Sequence, residues 1–298
     1  MYASFYGLRR NPFEISPDPN FFCPTPRHNE ALASLVYGIK QRKGFIVITG
    51  EVGTGKTLLA QCLFTFLKRS NIEFAYVFNT RLSSNDFLQY VLADLGLPVK
   101  GKSKAEMLID FNNYLIERHQ QRSTVALIVD EAQLLDWDVL EEIRLLTNLE
   151  TPEHKLLQIV LMGQPEFDTR LESPNLRQLK QRIAFRCRLE PLSEAHTREY
   201  IRRRMRLAGA TEPILGDEAL SAVHRYSGGI PRLINTICEN VLISGYARKT
   251  ATITPDVVDE VAADFLLDGG DMASAEAVRP KQAVPTGRAM RKANESII

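Results

Sequence analysis

Residues 45–57 read Phe45-Ile46-Val47-Ile48-Thr49-Gly50-Glu51-Val52-Gly53-Thr54-Gly55-Lys56-Thr57, an apolar run that leads into a glycine-rich turn closed by Lys-Thr. Leu58-Leu59-Ala60-Gln61-Cys62-Leu63 follows with helical spacing. A strand, a G-x-x-x-x-G-K-T turn and a helix in that order make a loop able to grip phosphates. Glycines let the backbone curl so that its amides converge, and the helix N-terminus adds a partial positive charge. Lys56 is placed to reach the β and γ phosphates of a nucleotide, and Thr57 to hold magnesium. Gly50, Glu51, Val52, Gly53, Thr54, Gly55, Lys56, Thr57 and Leu58 are therefore the candidate nucleotide-binding residues.

Around this loop, short β-branched or aromatic runs at 45–48, 74–78, 125–129 and 157–162 alternate with helical patterns at 56–70, 85–95, 104–120 and 138–149. Such alternation predicts an α/β fold, a parallel sheet with helices on both faces and its ligand beyond the strands' carboxyl ends. A last strand at 184–189 closes the sheet. From Ser193 onward only helical patterns remain, with Ser193 and Thr254 as candidate caps and Pro255 at a first helical position. The expected organisation is an aromatic and proline-rich arm (1–26), extended more than helical and packing near the nucleotide site, an α/β domain (27–190), a small helical domain (191–267) and a tail (268–298) poor in large apolar groups.

Composition sets limits. With 298 residues and 44% hydrophobic content the chain can bury a large core, and 37 basic against 36 acidic residues leave a formal net charge of +1. No strong overall field recruits nucleic acid or acidic lipid. Cys23, Cys62, Cys187 and Cys238 are far apart in sequence, which signals neither a zinc site nor a redox pair. No run of about 18 apolar residues appears, so the sequence predicts no transmembrane segment and a cytoplasmic protein.

A triphosphate site also needs a carboxylate for the metal and a group that activates water. Val125-Ala126-Leu127-Ile128-Val129-Asp130-Glu131 supplies both at a strand end: Asp130 for the magnesium sphere, Glu131 for the water. An ordinary strand-end acidic pair is the alternative.

FYGLRRNPFEISPDPNFF, GFIVITGEVGTGKT, LIVDEAQLL, LLQIVLMGQPEF, LRQLKQRIAFRCRLEPL and SGGIPRLIN resemble, in order and spacing, the GspA/ExeA family of bacterial secretion-associated AAA+ ATPases. The resemblance implies a P-loop NTPase fold with a helical lid, and hydrolysis of ATP with Mg2+. It makes Gln164 the polar sensor, where AAA+ proteins usually carry Asn or Thr, although a turn in Gly163-Gln164-Pro165 stays open. Asn79 falls where many relatives hold the catalytic Glu in an inactive rotamer, a strand-end cap being the alternative. Arg182, just before the last strand, corresponds to the arginine that enters a neighbour's site, with Arg186 and Arg188 next in line. Pro231 and Arg232 resemble the start of the second-sensor helix. His28, with Phe21, Phe22 and Pro26, is expected to enclose the base, an arm merely packed against the core being the alternative.

The expectation is an ATPase that assembles into a homo-oligomeric ring or helical array and does conformational work on envelope or secretion machinery, cytoplasmic or peripheral at the inner membrane. Members of the group often continue into a membrane span and a wall-binding domain. The polar tail here instead suggests docking on another protein. The run Arg198-Glu199-Tyr200-Ile201-Arg202-Arg203-Arg204-Met205-Arg206 leaves open a DNA-binding regulator of transposition, against a solvated helix face. A nucleotide-gated scaffold with little hydrolysis is the third reading. Trp137 reads as a hydrophobic anchor at a helix start, with a partner-binding surface as the second reading.

Overall fold

The structure, a computed structural model, describes residues 1–14, 21, 23, 25–78 and 81–267. The expectations for Asn79, for Phe22 and for the tail beyond Leu267 fall outside them.

Five parallel strands form one sheet: β1 (Phe45–Gly50), β2 (Glu73–Val77), β3 (Val125–Val129), β4 (Leu157–Gly163) and β5 (Ile183–Leu189), in the order β2-β3-β4-β1-β5. The two-residue period of a strand sends successive side chains to opposite faces. Phe45, Val47, Leu127, Ile159 and Leu161 enter the core under α4 (Ser84–Asp94), α5 (Lys104–Gln120), α6 (Trp137–Leu146) and α7 (Pro165–Leu171). Ile46, Ile48, Ile128, Val160 and Met162 meet α2 (Pro26–Lys40) and α3 (Lys56–Arg69) on the other face. Both faces are covered, which is why β1, β3 and β4 read as unbroken apolar runs and are buried throughout. β5 lies at the edge and alternates in exposure.

After the short α8 (Arg177–Lys180) and β5, α9 (Glu194–Ala208), α10 (Asp217–Ser227), α11 (Pro231–Ala247) and α12 (Pro255–Asp264) build a separate core around Ile201, Leu220, Val223, Ile237 and Val258. Ser193 caps α9 by accepting the His196 amide, a bond worth about 1 kcal/mol. Thr254 makes no side-chain cap, and Pro255 alone opens α12. The arm departs from an extended strap. Residues 2–5 form one helical turn, α1 (Tyr2–Phe5), closed by Leu8 N donating to Ala3 O over Gly7. Tertiary contact explains the turn: the Tyr2 hydroxyl donates to Glu239 on α11, and Leu8 and Phe13 enter the helical core. The arm thus belongs to the helical part, and α2 starts the α/β part.

Candidate nucleotide site

The carboxyl ends of β1, β4 and β3 lie side by side, and from them come the phosphate loop, Gln164 and the Asp130-Glu131 pair. The loop curls back on itself. Thr54, fully buried, donates through its hydroxyl (2.7 Å) to Glu51 O, and Gly55 stands at the N-cap of α3. Lys56 is 6% exposed, and its Nζ donates to Gly50 O (2.6 Å) and Glu51 O (3.0 Å). Burial lowers the ammonium pKa, while the charges of Glu131 and Asp130 oppose the shift. Thr57 is exposed at the helix start and lines the same cleft as Val52, Lys56, Leu58 and Glu131.

Asp130 is buried, and its two oxygens are committed separately: Oδ1 accepts the Glu131 amide (2.9 Å) and Oδ2 the Tyr76 hydroxyl (3.2 Å). Burial raises the Asp130 pKa, and burial, followed by the neighbouring Asp130 carboxylate, pushes the Tyr76 phenol up. Thr57 and Asp130 offer hard oxygen donors suited to magnesium. Among the described residues no cluster of three or more His, Cys, Asp or Glu forms a protein cage for a metal. Two oxygen donors, Thr57 and Asp130, suit an ion that takes its remaining ligands from phosphate and water.

Glu131 departs from β3 in the left-handed region, φ +51, and leads into a 3-10 turn, Ala132–Leu134. A non-glycine residue there costs on the order of 1 kcal/mol. Its Oε2 accepts Gln133 Nε2 (2.5 Å) and Gln164 Nε2 (3.2 Å). The Gln164 backbone amide in turn donates to Gln133 Oε1 (3.0 Å). Sequence reasoning missed Gln133; its place in Asp-Glu-Ala-Gln, one 3-10 turn after the glutamate, was the available signal. It also missed Tyr76, on β2.

The helical part closes the cleft from above. Arg232 N donates to Gly53 O (3.2 Å), and Pro231 and Arg232 line the cleft with Asn235, Tyr200, Arg204 and Glu14. Gly53 has φ +84, and a Cβ there would meet Arg232 Cβ at 2.7 Å.

His28 occupies a different position from the one expected. It is buried beneath the loop, with Nε2 3.0 Å from Thr54 O and Nδ1 2.7 Å from Thr25 Oγ1. A carbonyl only accepts, so Nε2 carries the proton. Phe21 is likewise enclosed, between the guanidinium groups of Arg10 and Arg204. Tyr200, Arg204 and Asn235 of the helical part line the cleft together with Glu14 of the arm.

Arg182 lies at the other end of the sheet. The residue after it, Ile183, is in register with Phe45, whereas Gly50 is in register with Leu189. Six residues separate the two positions along β5, roughly 20 Å at about 3.3 Å per residue. Its guanidinium donates to Arg144 O (3.2 Å), Asn148 Oδ1 (2.7 Å) and the Thr147 hydroxyl, at the C-terminal end of α6. Arg186 pairs with Asp168 (2.8 Å). In the arginine run of α9, Arg198 pairs with Glu194, Arg202 with Asp217 and Arg206 with Glu199, while Arg204 is buried against Tyr200 and Pro12 O. Trp137 is half-exposed under Arg170 and is not a core anchor.

Residues 39–171 match the family model described as AAA domain. The chain is 46% identical over 254 residues to general secretion pathway protein A of Aeromonas hydrophila, covering 85% of this chain and 46% of that protein. It thus spans less than half the length of that relative. Among solved structures it is similar to Drosophila ORC bound to DNA, with a TM-score of 0.66 and 20% identity over 92% of this chain and 68% of that one. Cdc6p of Pyrobaculum aerophilum gives a TM-score of 0.62 and 17% identity, over 93% and 74%. The Thermotoga maritima RuvB Holliday junction branch migration motor gives 0.55 and 16%, over 83% and 73%. At these identities the likeness to solved structures concerns the fold.

Proposed function

We propose, starting from the fact that the chain is an AAA+ P-loop protein similar to general secretion pathway protein A, that it binds ATP between its α/β and helical parts and hydrolyses it to ADP and phosphate. The observation that carries this reading is that Lys56 and Glu131 line one cleft, while Gln164, from the strand end between theirs, bonds the Glu131 carboxylate.

In this reading the loop amides and Lys56 hold the β and γ phosphates. Lys56 exchanges its bonds to Gly50 O and Glu51 O for phosphate oxygens, keeping its charge neutralised in a buried place. Thr57 and Asp130 would hold a magnesium ion, which screens phosphate charge. Glu131 takes a proton from water as the water oxygen bonds to the γ phosphorus and the bond from that phosphorus to the bridging oxygen breaks, releasing ADP. Gln164 has a long enough side chain to orient the water or a γ oxygen once it leaves Glu131. Arg232, bonded through its backbone to the loop, transmits the nucleotide state to the helical lid.

Assembly into a homo-oligomer belongs to the same proposal. Arg182 is too far along β5 to serve its own loop, so it acts on a neighbour's. The partner is proposed to be envelope or secretion machinery, by analogy with the relative's printed name, with the chain acting from the cytoplasmic side or at the inner membrane. Among the described residues no helix is long and apolar enough to cross a membrane. The ion pairs along α9 favour the solvated-face reading of the arginine run over DNA contact.

The test is phosphate release from ATP with magnesium. Wild type should turn over, and Lys56→Ala should lose both nucleotide affinity and turnover; equal affinity for both proteins contradicts the phosphate site.

A further inference from the structure

We propose that Gln133 is a positioning residue for Glu131, holding the carboxylate at the strand ends in register with Gln164; the inference rests on the reading of Glu131 as the group that activates water. Every polar atom of the Gln133 side chain is committed in one direction. Oε1 accepts the Gln164 backbone amide (3.0 Å), which can only donate. That bond fixes the orientation of the amide, so Nε2 necessarily points at Glu131 Oε2, 2.5 Å away. The backbone is held as well, since Arg170 donates to Gln133 O (2.7 Å).

The setting is shaped for this side chain. A Cβ on Gly163 would come within 3.2 Å of Gln133 Oε1 and 3.1 Å of Phe167 Cβ, so the strand end leaves room there for the amide. Gln164 reaches the same carboxylate oxygen at 3.2 Å, the longer of the two contacts. Gln133 thus touches both members of the site: it grips the side chain of Glu131 and the main chain of Gln164. Glu131 itself lies in the left-handed region at the start of a short turn, and Gln133, within that turn, bonds its carboxylate. A displacement of about 1 Å at a reacting group costs roughly 100-fold in rate. A glutamine that merely stapled the β3 and β4 ends together would support stability and nucleotide affinity, and its removal would act independently of Glu131.

The experiment compares Gln133→Leu, which removes both amide bonds, with Gln133→Glu, which keeps the acceptor for Gln164 N but turns a carboxylate toward Glu131. Steady-state hydrolysis gives kcat and KM, a fluorescent ADP analogue gives affinity, and single-turnover measurement extends the comparison into the Glu131→Gln background. Both substitutions are expected to lower kcat by about 10- to 100-fold while KM and analogue affinity stay within about twofold. In the Glu131→Gln background, Gln133→Leu should cause no further loss, because the group it positions has gone. Wild-type kcat in Gln133→Glu, or equal losses from Gln133→Leu in both backgrounds, overturns the role. If Gln133→Leu does not fold, Gln133→Glu decides the matter alone. An inactive wild type, or full turnover by Glu131→Gln, would instead overturn the reading of Glu131 on which the inference rests.

Discussion

The backbone amide of Arg232, at the first turn of α11, donates to the carbonyl of Gly53 in the middle of the phosphate loop, 3.2 Å away. A single hydrogen bond thereby joins the helical part to the loop, at the point where Gly53 adopts φ +84. Gly53→Ala would strain the loop and push its methyl group to 2.7 Å from Arg232 Cβ and 3.0 Å from Ile230 Cγ2. The substitution is expected to weaken binding of a fluorescent ADP analogue by at least about tenfold, equivalent to about 1.4 kcal/mol. Titration of the analogue checks it.

Gly229 closes the helical part on its own first residues. Leu192 N donates to Gly229 O (2.8 Å), and a Cβ at Gly229, φ +76, would lie 2.0 Å from Leu192 O. No rotamer relieves a clash with backbone. Gly229→Ala should cost about 2–4 kcal/mol in unfolding free energy, read by urea denaturation, with Gly228→Ala, which meets nothing within 4 Å, as the milder control.

His28 couples loop stability to pH. Burial lowers its pKa from the ordinary 6.5, partly opposed by the bond to Thr54 O. With the folded value below the unfolded one, its contribution is fully present above pH 6.5 and is lost as pH falls through the folded value. The thermal midpoint should fall between pH 7.5 and pH 5, and His28→Gln, which keeps a donor for Thr54 O, should fall less over the same interval. Parallel melting curves at the two pH values give the comparison.

Arg182 is expected to act between subunits. Arg182→Ala should bind ATP nearly as wild type and hydrolyse it poorly, with a stability cost of about 1–2 kcal/mol from the bonds it loses at the end of α6. Mixed with Glu131→Gln, it should regain part of the activity, since composite sites then carry one intact Glu131 and one intact Arg182. Confirmed co-assembly without recovery at any ratio removes the assignment.

The parts legible from sequence were those governed by local pattern. The runs that became β1, β3 and β4 are apolar because both faces of the sheet are covered, and the glycine-rich loop and Asp130-Glu131 carry their chemistry in short motifs. What escaped depends on contacts between distant segments. α1 forms because Tyr2 reaches Glu239, 237 positions away. His28 turned out to prop Thr54 because α2 runs under the loop, which no spacing in 25–30 reveals. Gln133 required the β3 and β4 ends to be adjacent before its amide had two partners. The arginine run of α9 left a DNA-binding face and a solvated face both open in sequence, and the partners Glu194 and Asp217, alongside Glu199, favour the second.

The most direct test of the account is ATP binding and turnover measured on the same preparation of Glu131→Gln beside wild type, at saturating ATP and magnesium. Removing the group that takes the proton, while leaving the loop, Lys56 and Asp130 in place, should preserve ATP affinity within about threefold and reduce turnover by about 100-fold or more. Turnover in the variant close to that of wild type would contradict the assignment of Glu131 and the mechanism built on it.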